Sequence, residues 1–160
     1  MTPQQVELVQ QSFKKLSAMG EGAWDGFYNE LFAIEPSIRR MFKDDVHEQR
    51  KKLLAALALV IGALNAPARI LDPLKKLAVR HVGYGVKPEH YTYMGNALLR
   101  TLEKGLGDEF TPDLRKAWMA AFQTLTAIMK EAAYGPAITK ARRLPAPVVE
   151  IASGETWTIP

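Results

Sequence analysis

Hydrophobic positions recur at intervals of three and four along most of the chain, the spacing that gathers side chains on one face of a helix. Val6, Val9, Phe13 and Leu16 make the first such stripe. Thr2-Pro3-Gln4-Gln5 opens it with a capping hydroxyl, a proline suited to the first turn and a glutamine three residues after the cap, and Gly20 and Gly22 break it. Trp24, Phe27, Tyr28, Leu31 and Phe32 carry a second stripe as far as Pro36, where a short turn leads through Ile38 and Met41 to Phe42. Asp44 and Asp45 are positioned to cap a third helix with Leu53, Leu57, Val60, Ile61 and Leu64, a stripe wide enough to predict deep burial, before Asn65-Ala66-Pro67 stops it. From Arg69 to about Gly83 the positions Ile70, Leu74, Leu77 and Ala78 lead onto His81, which puts that histidine on the inward face. Tyr91, Met94, Leu98, Leu99 and Leu102 form a further helix, closed by Gly105 and Gly107. Thr111-Pro112 opens the last, whose stripe is Leu114, Trp118, Phe122, Leu125, Ile128 and Met129, halting at Gly135-Pro136.

No segment before position 135 alternates with the period of a strand, so residues 1–134 read as one all-α domain. Residues 135–160 differ, being punctuated by Pro136, Pro145, Pro147 and Pro160. They read as a disordered tail, or as a hairpin turning at Ser153-Gly154 that straps Trp157 onto the helices. Composition removes several classes of function. Zero cysteines exclude disulfides, iron–sulfur clusters, cysteine zinc sites and thiol catalysis, which leaves three histidines as nitrogen ligands. A net charge of +4 carried by scattered basic pairs does not indicate nucleic-acid binding. The longest apolar run, Leu53 to Leu64, is short of the roughly 20 residues of a membrane span, and the start of the chain has no signal pattern, so the expected location is the cytoplasm.

Taken alone, His81 reads as a hydrogen-bonded core residue ahead of a metal ligand, Phe42 is a core aromatic, Tyr28 lies on a core stripe, and Gln49 stands among the solvated Glu48, Arg50, Lys51 and Lys52. Their order and intervals change the picture. Phe27-Tyr28-Asn29-Glu30-Leu31-Phe32 is followed by Pro36 and Phe42, then by Glu48-Gln49, then by Arg80-His81-Val82-Gly83-Tyr84-Gly85-Val86 and His90-Tyr91. Over residues 4 to 134 the sequence resembles globins, specifically bacterial single-domain globins and the haem domains of flavohaemoglobins.

The resemblance implies a globin fold of about six to eight helices around a haem b, with His81 as the proximal iron ligand. Leu77 and Val86 would pack on the porphyrin, Phe42 would wedge it, and Leu53, one turn after Gln49, would form part of the apolar ceiling. Lys52 and Arg80 are the candidates for haem propionate contacts. Tyr28 and Gln49 would donate hydrogen bonds to a gas ligand, favouring dioxygen over carbon monoxide because dioxygen takes on more negative charge. His47, two residues before Gln49 and so about 200° around a regular helix, is a poor ligand candidate, and His90 is expected at the surface.

Tyr91 matches a tyrosine that in flavohaemoglobin-type domains joins a glutamate in holding the ligand histidine. Counted from Trp118, the glutamate's place falls on Ala133, which argues against peroxidase-like chemistry. The leading expectation is an oxygen-binding bacterial haemoglobin, a carrier of dioxygen and other diatomic gases. The enzyme alternative is a nitric oxide dioxygenase served by a separate reductase, since the chain lacks a dinucleotide fingerprint. A gas sensor or a haem-free globin-fold module is the third.

Overall fold

The computed structural model describes residues 1–42, 45–135, 148–150 and 156–158. Among them, α1 spans Pro3–Ala18, α2 Gly26–Ile34, α3 Val46–Gly62, α4 Leu71–Gly83, α5 Pro88–Leu106 and α6 Pro112–Tyr134, with short 3-10 turns at Glu21–Trp24, Pro36–Met41, Pro67–Ile70 and Gly107–Glu109. The starts are set by local chemistry. The Thr2 hydroxyl accepts from the Gln5 amide at 3.1 Å while the Gln5 side chain accepts from the Thr2 amide at 2.9 Å, and Asp45 and Thr111 cap α3 and α6 through the amides of His47 and Leu114. Val148–Glu150 (β1) and Thr156–Thr158 (β2) pair antiparallel, Val149 opposite Trp157. The expected turn at Ser153-Gly154 and the seat of the Trp157 side chain lie outside the described residues.

Helix α2 packs mainly on α5, and α4 and α1 both pack on α6. The core has two parts. One is built from α1, α2, α5 and α6 around Val9, Leu16, Phe27, Leu31, Leu102 and Trp118; the other joins Val60, Leu74, Ala78, Tyr91 and Met129. A direct hydrogen bond from Trp118 Nε1 to Ser12 Oγ, 2.9 Å, ties α6 to α1 inside the first part. Two sequence expectations are corrected here. Gly105 does not close α5: the helix runs on to Leu106, and a methyl group at Gly105 would strike Leu16 of α1, so this glycine permits a close helix crossing. The α3 stripe is not deeply buried along its whole length either: Val60 and Ile61 are, while Leu53, Leu57 and Leu64 pack half-buried on the first part of the core.

Candidate functional site

Tyr28 is buried in α2, and its ring makes edge contacts with Phe27 at 5.1 Å and Phe42 at 5.5 Å; Phe42 also meets Phe32 at 5.6 Å. Phe42 follows directly on the Pro36–Met41 turn, which fixes it below α2, and it packs half-buried on the first part of the core together with Leu53. Burial pushes the Tyr28 phenol far above its ordinary pKa, so it stays protonated and keeps its proton to donate. Gln49 is half-buried one turn before Leu53 on α3.

Helix α4 presents Leu74, Leu77, Ala78 and His81 inward, with Asp72, Lys75, Lys76 and Val79 outward. His81 Nδ1 lies 2.8 Å from the carbonyl oxygen of Leu77, one turn earlier. A carbonyl can only accept, so Nδ1 carries the proton and Nε2 keeps a free lone pair. Burial lowers the imidazole pKa, the Leu77 carbonyl opposes that shift, and the Arg80 charge adds to it; the net result is a neutral ring suited to hold a metal. The Tyr91 ring stacks on the His81 ring at 6.5 Å. Val86, after α4, joins the second part of the core, and the Tyr134 hydroxyl pins it by donating to the Val86 carbonyl at 2.5 Å.

The Tyr91 hydroxyl is buried with no hydrogen-bond partner among the described residues, and burial with the neighbouring Tyr134 pushes its pKa up to about 12. Ala133 sits half-buried against the same cluster, Glu131 is exposed, and the Lys130 ammonium lies 6.0 Å from the centre of the Tyr91 ring. Among the described residues no carboxylate hydrogen-bonds the Tyr91 hydroxyl. Between α3 and α4 lies a cavity of about 360 Å³ whose wall is formed by Ala56, Leu59 and Val60 on one side and Leu74 and Leu77 on the other, with Lys76 and Arg80 at its edge. Sequence reading had singled out Arg80 but not Lys76, four residues before it on the same flank. Lys52 is exposed on α3. His47 is exposed and turned to Arg50, and His90 accepts from the Lys87 amide at 3.0 Å at the start of α5.

The residue that sequence reading missed is Arg50. It is buried, and its guanidinium reaches Asp25, Glu21 at 2.6 Å and His47 Nδ1 at 2.8 Å. A run of charges around it made it look solvated; the signal that could have found it is the pair of acids Glu21 and Asp25 beside the start of α2. No group of three or more acidic or histidine side chains among the described residues could hold a metal ion, so His81 stands as a single-residue ligand candidate. No helix among them is long and apolar enough to cross a membrane.

Comparison with known proteins identifies the family and the fold. The globin family model matches residues 25–129. The flavohemoprotein of Bordetella pertussis is 29% identical over 132 residues, covering 81% of this chain and 33% of that protein. The chain thus spans about a third of the length of the curated relatives it matches. Among solved structures, a bacterial globin from Campylobacter jejuni superposes with a TM-score of 0.72 at 25% identity, covering 82% of this chain and 96% of that one. An engineered carbene transferase from Rhodothermus marinus has the same fold, with a TM-score of 0.75 at 22% identity over 88% of this chain and 99% of its own. The match spans α2 to α6, the segment that holds Tyr28, Phe42, Gln49 and His81, and the chain belongs to the globin family.

Proposed function

We propose that the protein holds a haem b between α3 and α4 and binds dioxygen reversibly. The observation that carries this reading is the hydrogen bond from His81 Nδ1 to Leu77, which fixes the tautomer and leaves Nε2 as the ligating atom. The surroundings fit a flat, apolar group with acidic edges: a largely apolar cleft between α3 and α4 with Lys76 and Arg80 at its edge, and a buried phenol on α2 that keeps its proton. When bound, haem would be held by His81 and would supply an iron able to coordinate a diatomic gas.

In this reading Leu77, Val86 and Phe42 pack on the porphyrin and Leu53 closes the apolar ceiling. Arg80, with Lys76, faces the propionates; Lys52 is the more exposed candidate for the same contact. Tyr28 and Gln49 donate to the gas, and the apolar walls keep water from competing. Tyr91, without a carboxylate partner, leaves the imidazole an ordinary donor, which suits binding better than oxygen activation.

A second reading, nitric oxide dioxygenation with an external reductase, is favoured by the curated relatives, which are flavohemoproteins, and by the Rhodothermus marinus carbene transferase, which is named a putative nitric oxide dioxygenase. Mixing the oxygenated protein with nitric oxide in the presence of a flavin reductase separates the two. One stoichiometric reaction followed by slow re-reduction is the outcome expected of a carrier; sustained nitrate production would make it an enzyme.

A further inference from the structure

Among the described residues Arg50 is the one charged side chain that is buried. Its guanidinium spends its two terminal nitrogens on three partners: Nη1 on Asp25, Nη2 on Glu21 and on His47 Nδ1. Facing a donor, His47 Nδ1 is the unprotonated nitrogen. Glu21 opens the 3-10 turn before α2 and Asp25 is the residue at the head of α2, where its side chain makes no capping bond because the arginine takes it. Tyr28 comes three residues after Asp25, and Gln49 is the neighbour of Arg50 itself.

We propose that Arg50 is a positioning residue that clamps α3 to the head of α2 and so sets the spacing of the Tyr28 and Gln49 donors over the gas. Along its length α3 packs on the core through Val46, Leu53, Leu57, Val60 and Ile61, and its far end is tied by the Gln10 side chain donating to the Ile61 carbonyl at 2.9 Å. At its head the polar tie to the start of α2 is the guanidinium, whose planar fork can hold two carboxylates in fixed directions where a lysine ammonium cannot. A donor displaced by a fraction of an ångström loses much of its bond to a charged acceptor, so the clamp acts on gas dissociation without touching the gas. This inference rests on the dioxygen-binding reading above.

The test uses the full chain loaded with haem. In Arg50→Met the dioxygen dissociation rate should rise about tenfold, the equivalent of losing most of one charge-assisted bond. The C–O stretching band of the carbonyl form should broaden and move to higher frequency, a readout of the distal donors that global stability does not move. Arg50→Lys should fall between, and Arg50→Met should add little in a Tyr28→Phe background. Gln10→Ala, which loosens the far end of α3, should lower stability and leave the band in place. If Arg50→Met fails to take up haem, Asp25→Asn combined with Glu21→Gln weakens the same clamp from its exposed side and is read in the same way. A native band and native dissociation rate in either variant overturns the clamp while leaving the dioxygen reading intact, provided Tyr28→Phe speeds dioxygen loss. If Tyr28→Phe leaves dioxygen loss unchanged, the underlying reading falls and the clamp falls with it.

Discussion

Tyr28 is a buried residue whose ring is held edge-on by Phe27 and Phe42 and whose phenol burial keeps protonated. Tyr28→Phe removes the hydroxyl and leaves those ring contacts available. The same substitution should speed dioxygen loss by about ten- to a hundredfold, the kinetic equivalent of a hydrogen bond to a charged acceptor. Unchanged dissociation by flash photolysis would remove Tyr28 from the distal role. Alkaline titration tests the burial separately. The phenols of Tyr28 and Tyr91 have pKa values above their ordinary 10.0, that of Tyr91 about 12. An acid whose folded pKa is raised contributes stability that is intact below the unfolded value and lost as pH climbs from there towards the folded one. Stability should therefore hold below pH 10 and fall between about 10 and 12, and Tyr91→Phe should flatten that decline. A Tyr91→Phe profile superimposable on the parent would show that the shift is absent in solution.

Helices as units were readable from local pattern wherever the cause is local. Thr2-Pro3 with Gln5 and Thr111-Pro112 start α1 and α6 through hydrogen bonds to residues three positions away, and the stripes of α1, α2 and α6 enter the core as their spacing predicts. What could not be read are partners that only folding brings together. Ser12 is a polar residue on an otherwise apolar stripe until Trp118, far along the chain, donates to it; Gly105 looks like a terminator until Leu16 is found against it. Arg50 is the same case in the candidate site, since its acids belong to the previous element. His81 lies at the other extreme: the spacing Leu74, Leu77, Ala78, His81 already placed it one turn after Leu77, whose carbonyl it engages. Two variants measure these contacts. Ser12→Ala leaves the buried Trp118 N–H unpaired and should cost about 1–3 kcal/mol in urea unfolding. Gly95→Val sets a side chain against the Phe122 ring, which lies 2.5 Å from where its first carbon would be, and should cost a comparable amount, about 1–3 kcal/mol, by forcing α5 from α6. Native midpoints in both would mean that these crossings are looser than the structure shows.

As a molecule, the protein has a core divided between the α1, α2, α5 and α6 assembly and the α4 to α6 layer, and Val60, Leu74 and Leu77 of the second part line the cleft between α3 and α4. A ligand that binds only the folded chain stabilises it, so haem uptake should raise the thermal midpoint, and more so at higher free haem, as mass action requires. Calorimetry with and without haem checks this, and a midpoint unmoved by haem would mean that the cleft does not close on it. The central claim, that His81 holds a haem iron whose opposite side takes dioxygen, is tested most directly by the visible spectrum of the haem-loaded ferrous protein cycled between argon and air, beside the same cycle in His81→Ala. The account predicts a histidine-ligated deoxy spectrum that converts to an oxy form and returns when dioxygen is removed, with that histidine signature lost in the variant. A parent that stays colourless in the presence of haem, or a spectrum identical in the variant, would contradict it.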